Sequence, residues 1–166
     1  MVRPVRAGDA PLVQEFVREL SPVSRRNRFF GPVKELSPAQ LERMTRFDGS
    51  TGLGLVALAG EEVPRVVGIA QHAVCDPPIA EIAVVVADGW QRQGLGERLV
   101  LLLLAHAAMA GVAAVRGFVM AANLPMLALA SKLGFAFADD ADPELVRIEK
   151  PLGTTRRVTA WWGRRW

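Results

Sequence analysis

The chain has 166 residues, 51% of them hydrophobic, and a formal net charge of +3 at pH 7. That length suits one domain, or one domain with a tail, and the apolar content is enough to bury a core without covalent staples. A single cysteine, Cys75, rules out an internal disulfide and fits a reducing cytoplasm, and the opening MVRPVRAGDAP has no apolar signal core, so we expect a cytoplasmic protein.

In chain order, Met1–Val5 reads as a short extended strand. Asp9-Ala-Pro predicts a capped helix with Val13, Phe16, Val17 and Leu20 on one face, ended by Ser21-Pro22. Ser24–Gly31 reads as an arginine-rich loop containing Phe29-Phe30. Ser37-Pro38 places Ser at the cap and Pro at the first helical position of a second helix, running to about Phe47, and Asp48–Thr51 is turn chemistry. Leu53–Ala59 and Arg65–Val74, joined through Gly60-Glu61-Glu62, predict a hairpin. After the break at Asp76-Pro77-Pro78, Ala80–Val86 is a strand with no polar residue but Glu81, which argues for a central position covered on both faces.

Gly94–Ala110 predicts a helix ended by Gly111, and Ala113–Met120 a strand. The apolar run Leu99–Val115 is interrupted by His106 and Gly111 and falls short of the roughly 18–20 residues that span a bilayer, so it reads as a buried helix and a strand. Asn123-Leu-Pro starts a helix to Lys132 closed by Gly134, and Phe135–Phe137 and Leu145–Glu149 are the last strands. The order implies helices over a largely antiparallel sheet in residues 1–152. The basic segment 153–166, with Trp161, Trp162 and Trp166, does not continue that pattern. It carries much of the charge excess, and we expect it to pack across a dimer or over a cleft rather than to bind nucleic acid or membrane.

The chemistry centres on Gln91-Arg-Gln-Gly-Leu-Gly96, where an apolar strand gives way to a long helix. A helix N-terminus presents unpaired N–H groups and a partial positive charge, and glycines there let an anion such as a diphosphate approach the backbone. The Walker pattern is absent, since Gly96-Glu97-Arg98 replaces Gly-Lys-Ser/Thr, and the Rossmann fingerprint lacks its third glycine. Alone, the loop is also consistent with an ordinary strand-to-helix turn.

The loop after Ala80-Glu-Ile-Ala-Val-Val-Val86, together with Asn123-Leu-Pro-Met-Leu-Ala-Leu-Ala-Ser-Lys-Leu-Gly-Phe135, resembles the GCN5-related N-acetyltransferases. Leu20-Ser-Pro-Val-Ser-Arg-Arg-Asn-Arg-Phe-Phe30, with Lys34-Glu-Leu-Ser-Pro38 and Asp48, is similar to the acetyltransferase domain of bacterial protein-lysine acetyltransferases, here without the fused regions that many relatives carry. The resemblance implies an α+β fold, with a mixed, mostly antiparallel sheet of six or seven strands flanked by about four helices. It also implies acetyl-CoA as cosubstrate, no metal, and direct transfer to an amine, preferably a protein lysine and alternatively a small molecule.

The implied roles fall on particular residues. Glu81 is the candidate general base: it is the only acid in its strand, and burial would tune a carboxylate toward the working pH. Backbone of Val84, Val85 and Val86 would meet the thioester oxygen and pantetheine. Gln91, Arg92, Gln93, Gly94, Leu95, Gly96 and Glu97 would hold the diphosphate. Asn123 would contact pantetheine or hold strand ends apart, with a plain helix cap equally consistent. The tyrosine that many relatives use to protonate the leaving thiolate is replaced by Ala130, the chain contains no tyrosine, and the neighbouring Ser131 is a poor acid.

Other residues carry less. Cys75 and His72 are three apart on one strand and so face opposite sides; His72 and His106 read as packing residues, and no metal cluster has plausible spacing. Arg25, Arg26 and Arg28 with Phe29-Phe30 either shape the acceptor entrance, meet the cofactor's 3′-phosphate, or form a solvated loop. The rival classes are a non-catalytic acyl-CoA sensor and a nucleotide-binding domain of another type.

Overall fold

A computed structural model describes residues 1–47, 52–60 and 62–153. The turn residues 48–51, Glu61 and the basic segment 154–166 lie outside the described residues, so the expectations for Asp48 and for the tryptophan-rich tail are not addressed by it. The elements are β1 (Val2–Pro4), α1 (Ala10–Glu19), α2 (Pro22–Phe29), α3 (Pro38–Thr45), β2 (Gly52–Ala59), β3 (Arg65–Asp76), β4 (Ile79–Val86), α4 (Leu95–Met109), β5 (Ala114–Met120), α5 (Leu124–Lys132), β6 (Ala136–Asp139) and β7 (Leu145–Pro151), with short 3-10 turns at Ala7–Asp9 and Asp88–Trp90. The strands form one seven-stranded sheet in the order β1-β2-β3-β4-β5-β7-β6. Only β4 and β5 run parallel, which excludes the parallel βαβ repeat of a Rossmann domain.

Local chemistry explains most boundaries. Ser37 accepts from the Gln40 N–H while Gln40 accepts from the Ser37 N–H, and Pro38 occupies the first helical position of α3. Asn123 Oδ1 accepts from the Met126 N–H at the start of α5. The same chemistry corrects the reading of Ser24–Gly31. That segment is not a loop: Ser21 caps α2 by accepting from the Ser24 N–H, with Pro22 in its first turn. Ser21-Pro22 thus ends one helix and starts the next, and α2 brings the helices of the described residues to five, consistent with the expected sheet flanked by about four.

Asp9 is a second correction. It does not cap α1 through its side chain. Its carboxylate instead takes two 2.7 Å hydrogen bonds from Arg3 and one from the Arg6 N–H, tying β1 to the start of α1. The Arg3 hydrogen bonds hold the Asp9 carboxyl below the usual carboxylate range against the opposing effect of burial.

The core has two sides. Val13, Phe16 and Val17 of α1 and Leu20 just after it, with Met44 of α3, pack on one face of the sheet against Val56, Ile69 and Val85. Leu99 and Leu103 of α4 cover Leu55, Ala57, Val67 and Ala70 on the other face, while Val100, Leu104 and Ala107 pack with Val115, Val119 and Ile148. The apolar run Leu99–Val115 resolves, as expected, into part of α4 and the start of β5, and among the described residues no helix is long and apolar enough to cross a membrane.

His72 and His106 are more than filler. His72 is 1% exposed, and its Nε2 lies 2.9 Å from His106 Nδ1, joining β3 to α4. One ring must donate and the other accept, so the neutral forms suit the contact. Burial, and secondarily the neighbouring His106, push His72 down from 6.5 to about 4. An unfolded chain therefore binds the proton first, and stability that is complete above pH 6.5 is lost as pH falls toward 4. We expect denaturant titrations to show a loss of roughly 2–4 kcal/mol across that window, and H72Q to flatten the slope.

Candidate active site

The sheet opens where β4 meets β5. These strands pair only through Ile79–Ala114, Ala80–Val115 and Glu81–Arg116, and beyond Glu81 they diverge. On its other edge β4 stays paired to β3 as far as Val86–Gly68, and the Ala87 N–H continues to Val67 O. Backbone groups of successive strand residues point to alternate edges. Ala87, Val85 and Ala83 therefore spend theirs on β3, while those of Val84 and Val86 face the opening. Of the three valines expected to offer backbone contacts, Val84 and Val86 are oriented to do so and Val85 is not.

The opening is a cavity of about 560 Å³, within the range of small-molecule sites. Val84, Val85 and Val86 form one wall, and Asn123, Pro125, Met126 and Leu129 another. Gln91, Arg92, Gly94, Gly96 and Glu97 close one end beside Ser24 of α2, and Glu81 lies toward the other with α2 residues Asn27 and Arg28. Ten of the twelve residues expected at the site therefore come together. Gln93 and Leu95 do not line the cavity: Gln93 Nε2 donates to Gly89 O, and Leu95, the first residue of α4, packs against the core between α4 and the sheet.

The loop itself is shaped for an anion. Arg92 and Gly94 adopt positive φ, +62° and +83°, and left-handed residues of this kind gather N–H groups into a concavity. For Arg92 such a conformation costs roughly 1–2 kcal/mol, a strain typical of ligand-clamping loops. The first-turn N–H groups of Leu95, Gly96 and Glu97 have no intrahelical acceptor. A Cβ built on Gly96 would lie 3.7 Å from both Val86 and Leu129, two residues of the cavity lining, so glycine leaves room there that any side chain would occupy. Glu97 is drawn to Lys132, 2.6 Å away, which ties α4 to α5 across the opening.

Glu81 requires a correction. Its strand is central, as expected, but the carboxylate is exposed at the lip of the cavity rather than enclosed. Asn123 both lines the cavity and caps α5. Ala130 is buried in the core and Ser131 is exposed outside the cavity lining, so neither is placed to protonate a leaving group. His72 points to α4, while Cys75 Sγ is 3.3 Å from Arg116 Nη2, so the two do not form a pair. Among the described residues no group of three or more His, Cys, Asp or Glu is gathered for a metal.

Sequence reasoning missed a polar clamp. Asp88 accepts from Ser21 Oγ at 2.7 Å, from Ser24 Oγ at 2.8 Å and from the Ser21 N–H at 3.0 Å. Gln91 Nε2 donates to both Ser24 Oγ and Val86 O. The clamp fixes the start of α2 to the glycine loop and so positions the cavity-lining turn of α2. The Ser-Pro-x-Ser spacing at 21–24 is its sequence signal, legible as a helix cap once Ser21-Pro22 is read forward.

Burial resists the Asp88 charge, but the hydrogen bonds from Ser21 and Ser24 outweigh it and hold the carboxyl below 3.8. The stabilisation is therefore complete above that value and lost as pH falls through the lower, folded one. We expect D88N to cost about 1 kcal/mol at neutral pH and to weaken acetyl-CoA binding, with the stability difference closing below pH 3.8 in denaturant titrations.

Residues 18–135 match the profile of the acetyltransferase (GNAT) family. An acetyltransferase of Pseudomonas aeruginosa is 35% identical over 144 residues, covering 86% of this chain and 77% of that protein. The GNAT domain of S. lividans PAT superposes with a TM-score of 0.84 at 26% identity, covering 91% of this chain and 89% of that one. A phosphinothricin acetyltransferase from Sinorhizobium meliloti, solved with AcCoA, shares the fold with a TM-score of 0.76 at 18% identity, over 98% of this chain and 94% of that one. With the splayed strands and the anion-shaped loop already in place, these matches establish that the chain belongs to the acetyltransferase (GNAT) family and is an acetyl-CoA-dependent N-acetyltransferase.

Proposed function

We propose that the acceptor is a lysine ε-amine on a protein, and that Glu81 takes its proton, directly or through one water. The observation that carries the reading is the exposure of Glu81 at an open lip. Its cross-strand partner Arg116 and the next partner, Glu149, share its face of the sheet. Beside them Phe118 is half-buried, Arg147 is exposed, and β6 is exposed along its length. An open polar floor of this kind suits a protein surface delivering one side chain, whereas a small amine is better held by a closed pocket. The similarity to the S. lividans PAT domain supports the same choice.

At neutral pH a lysine amine, with a pKa near ~10.4, arrives as ammonium and cannot attack. In the proposed reaction Glu81 accepts the proton, and the freed nitrogen lone pair bonds to the thioester carbonyl carbon. As the carbon–sulfur bond breaks, the nitrogen gives its second proton to solvent, and the sulfur keeps its electron pair and leaves as thiolate. N–H groups of Val84 and Val86 face the space where the carbonyl oxygen gathers charge, a placement suited to donors that act mainly in the transition state. The lining supplies no tyrosine, cysteine or histidine, so the thiolate takes its proton from solvent.

With a lysine-bearing protein as acceptor, we expect E81Q to lower kcat by about 10²–10⁴-fold at neutral pH while acetyl-CoA binding persists. Full kcat in that variant, read by release of free CoA, would remove Glu81 from the mechanism. S131A should cost less than about tenfold, since Ser131 lies outside the cavity lining. A panel of peptides and small amines tests the acceptor class, and turnover confined to small amines would displace the lysine reading.

A further inference from the structure

The cavity holds a cation with no partner. Of the three arginines on α2, Arg25 donates to Arg18 O and Arg26 bridges to Glu144. Arg28 makes no hydrogen bond or ion pair among the described residues, and its Nε is enclosed without an acceptor. The Phe29 ring, 5.1 Å from its Cζ, is a modest substitute for a counter-ion. Removing a guanidinium from water without a partner is costly, and burial pushes Arg28 down to about 10, with the charge of Glu81 partly opposing that shift.

The position narrows the ligand. Arg28 lines the cavity with Glu81, near enough to feel its charge yet not in contact, at the end away from the Arg92–Glu97 loop. That is the acceptor side. A bare ammonium approaching Glu81 would meet an unneutralised guanidinium, which disfavours amines whose only charge is positive. An acceptor carrying a carboxylate near its amine would cancel that repulsion and fill the planar fork that a guanidinium presents.

We propose that Arg28 is a specificity-determining residue that receives a carboxylate carried by the acceptor close to the amine delivered to Glu81. Resting on the protein-lysine reading, this selects lysines flanked by Asp or Glu.

The test uses two peptides that differ only in Glu or Gln beside a single lysine, and two small amines, lysine and 1,5-diaminopentane, which differ by a carboxylate. Wild type should favour the Glu peptide by about tenfold in kcat/KM, mainly through KM. Arg28→Met should bring the pair to parity while the acetyl-CoA dissociation constant stays at the wild-type value and the thermal midpoint is equal or higher, since an unpaired buried charge is removed, and Arg28→Lys should keep part of the preference. An equal preference in wild type and Arg28→Met overturns the proposal. So does an Arg28→Met enzyme that loses kcat equally on both peptides with a displaced pH profile, because Arg28 would then serve Glu81 rather than the acceptor. If neither peptide turns over but lysine is preferred to 1,5-diaminopentane in an Arg28-dependent way, the protein-lysine reading falls and the carboxylate site stands. Absence of discrimination in both pairs ends it.

Discussion

The parting of β4 from β5 is the constraint on which this molecule depends. After three parallel pairs the strands separate, leaving the polar backbone of Val84 and Val86 without a neighbouring strand. In a closed sheet those groups would be spent on ladder hydrogen bonds, and leaving them buried and unmade would be costly. They are tolerable because the gap is a cavity open to solvent and to the cosubstrate. The opening persists because each strand is held from outside: β4 by its long ladder with β3, and β5 by its ladder with β7.

Around this gap the two ends of the cavity are chemically distinct. One is built from backbone: the left-handed residues Arg92 and Gly94 and the first turn of α4, whose N–H groups recognise charge without depending on side-chain identity. The other is built from side chains: Glu81 on the lip, Arg28 beneath α2, and the mixed charges of the neighbouring sheet face. The first end suits a cosubstrate common to a family, and the second, on the reading proposed above, would distinguish the acceptor. Ser21, Ser24, Asp88 and Gln91 join the two, so that the helix carrying the acceptor-side residues is fastened to the loop at the cosubstrate end.

The departure from the more common arrangement of catalytic groups is also physical. With Ala130 buried where many relatives place a tyrosine, α5 contributes apolar contact and a capped N-terminus to the cavity but no acid. A thiol with a pKa near ~8.5 can leave as its conjugate base more readily than an alkoxide or amide nitrogen could, so the transfer proposed above does not require a dedicated proton donor.

Much was legible in the sequence because it rests on local rules. The alternation of the hairpin strands, the apolar face of α1, the Ser37-Pro38 start of α3 and the glycines opening α4 all express short-range sterics and hydrogen bonding, and their positions hold within a residue or two. The left-handed turn before α4 was legible in the glycines of Gln91–Gly96 for the same reason. What the sequence could not settle involved partners distant in the chain. Ser21-Pro22 is equally good as a stop and as a start, and Asp88, more than sixty residues away, makes it a start. Glu81 sits in an apolar strand paired on both edges yet is exposed, because burial follows from which elements cover its face of the sheet. Arg28 is one of three arginines on a short helix, and only the folded cavity singles it out. Local propensity thus determined the elements and the glycine loop, while the exposure of Glu81 and the isolation of Arg28 were decided by tertiary packing, since solvation and pairing belong to no single stretch of chain.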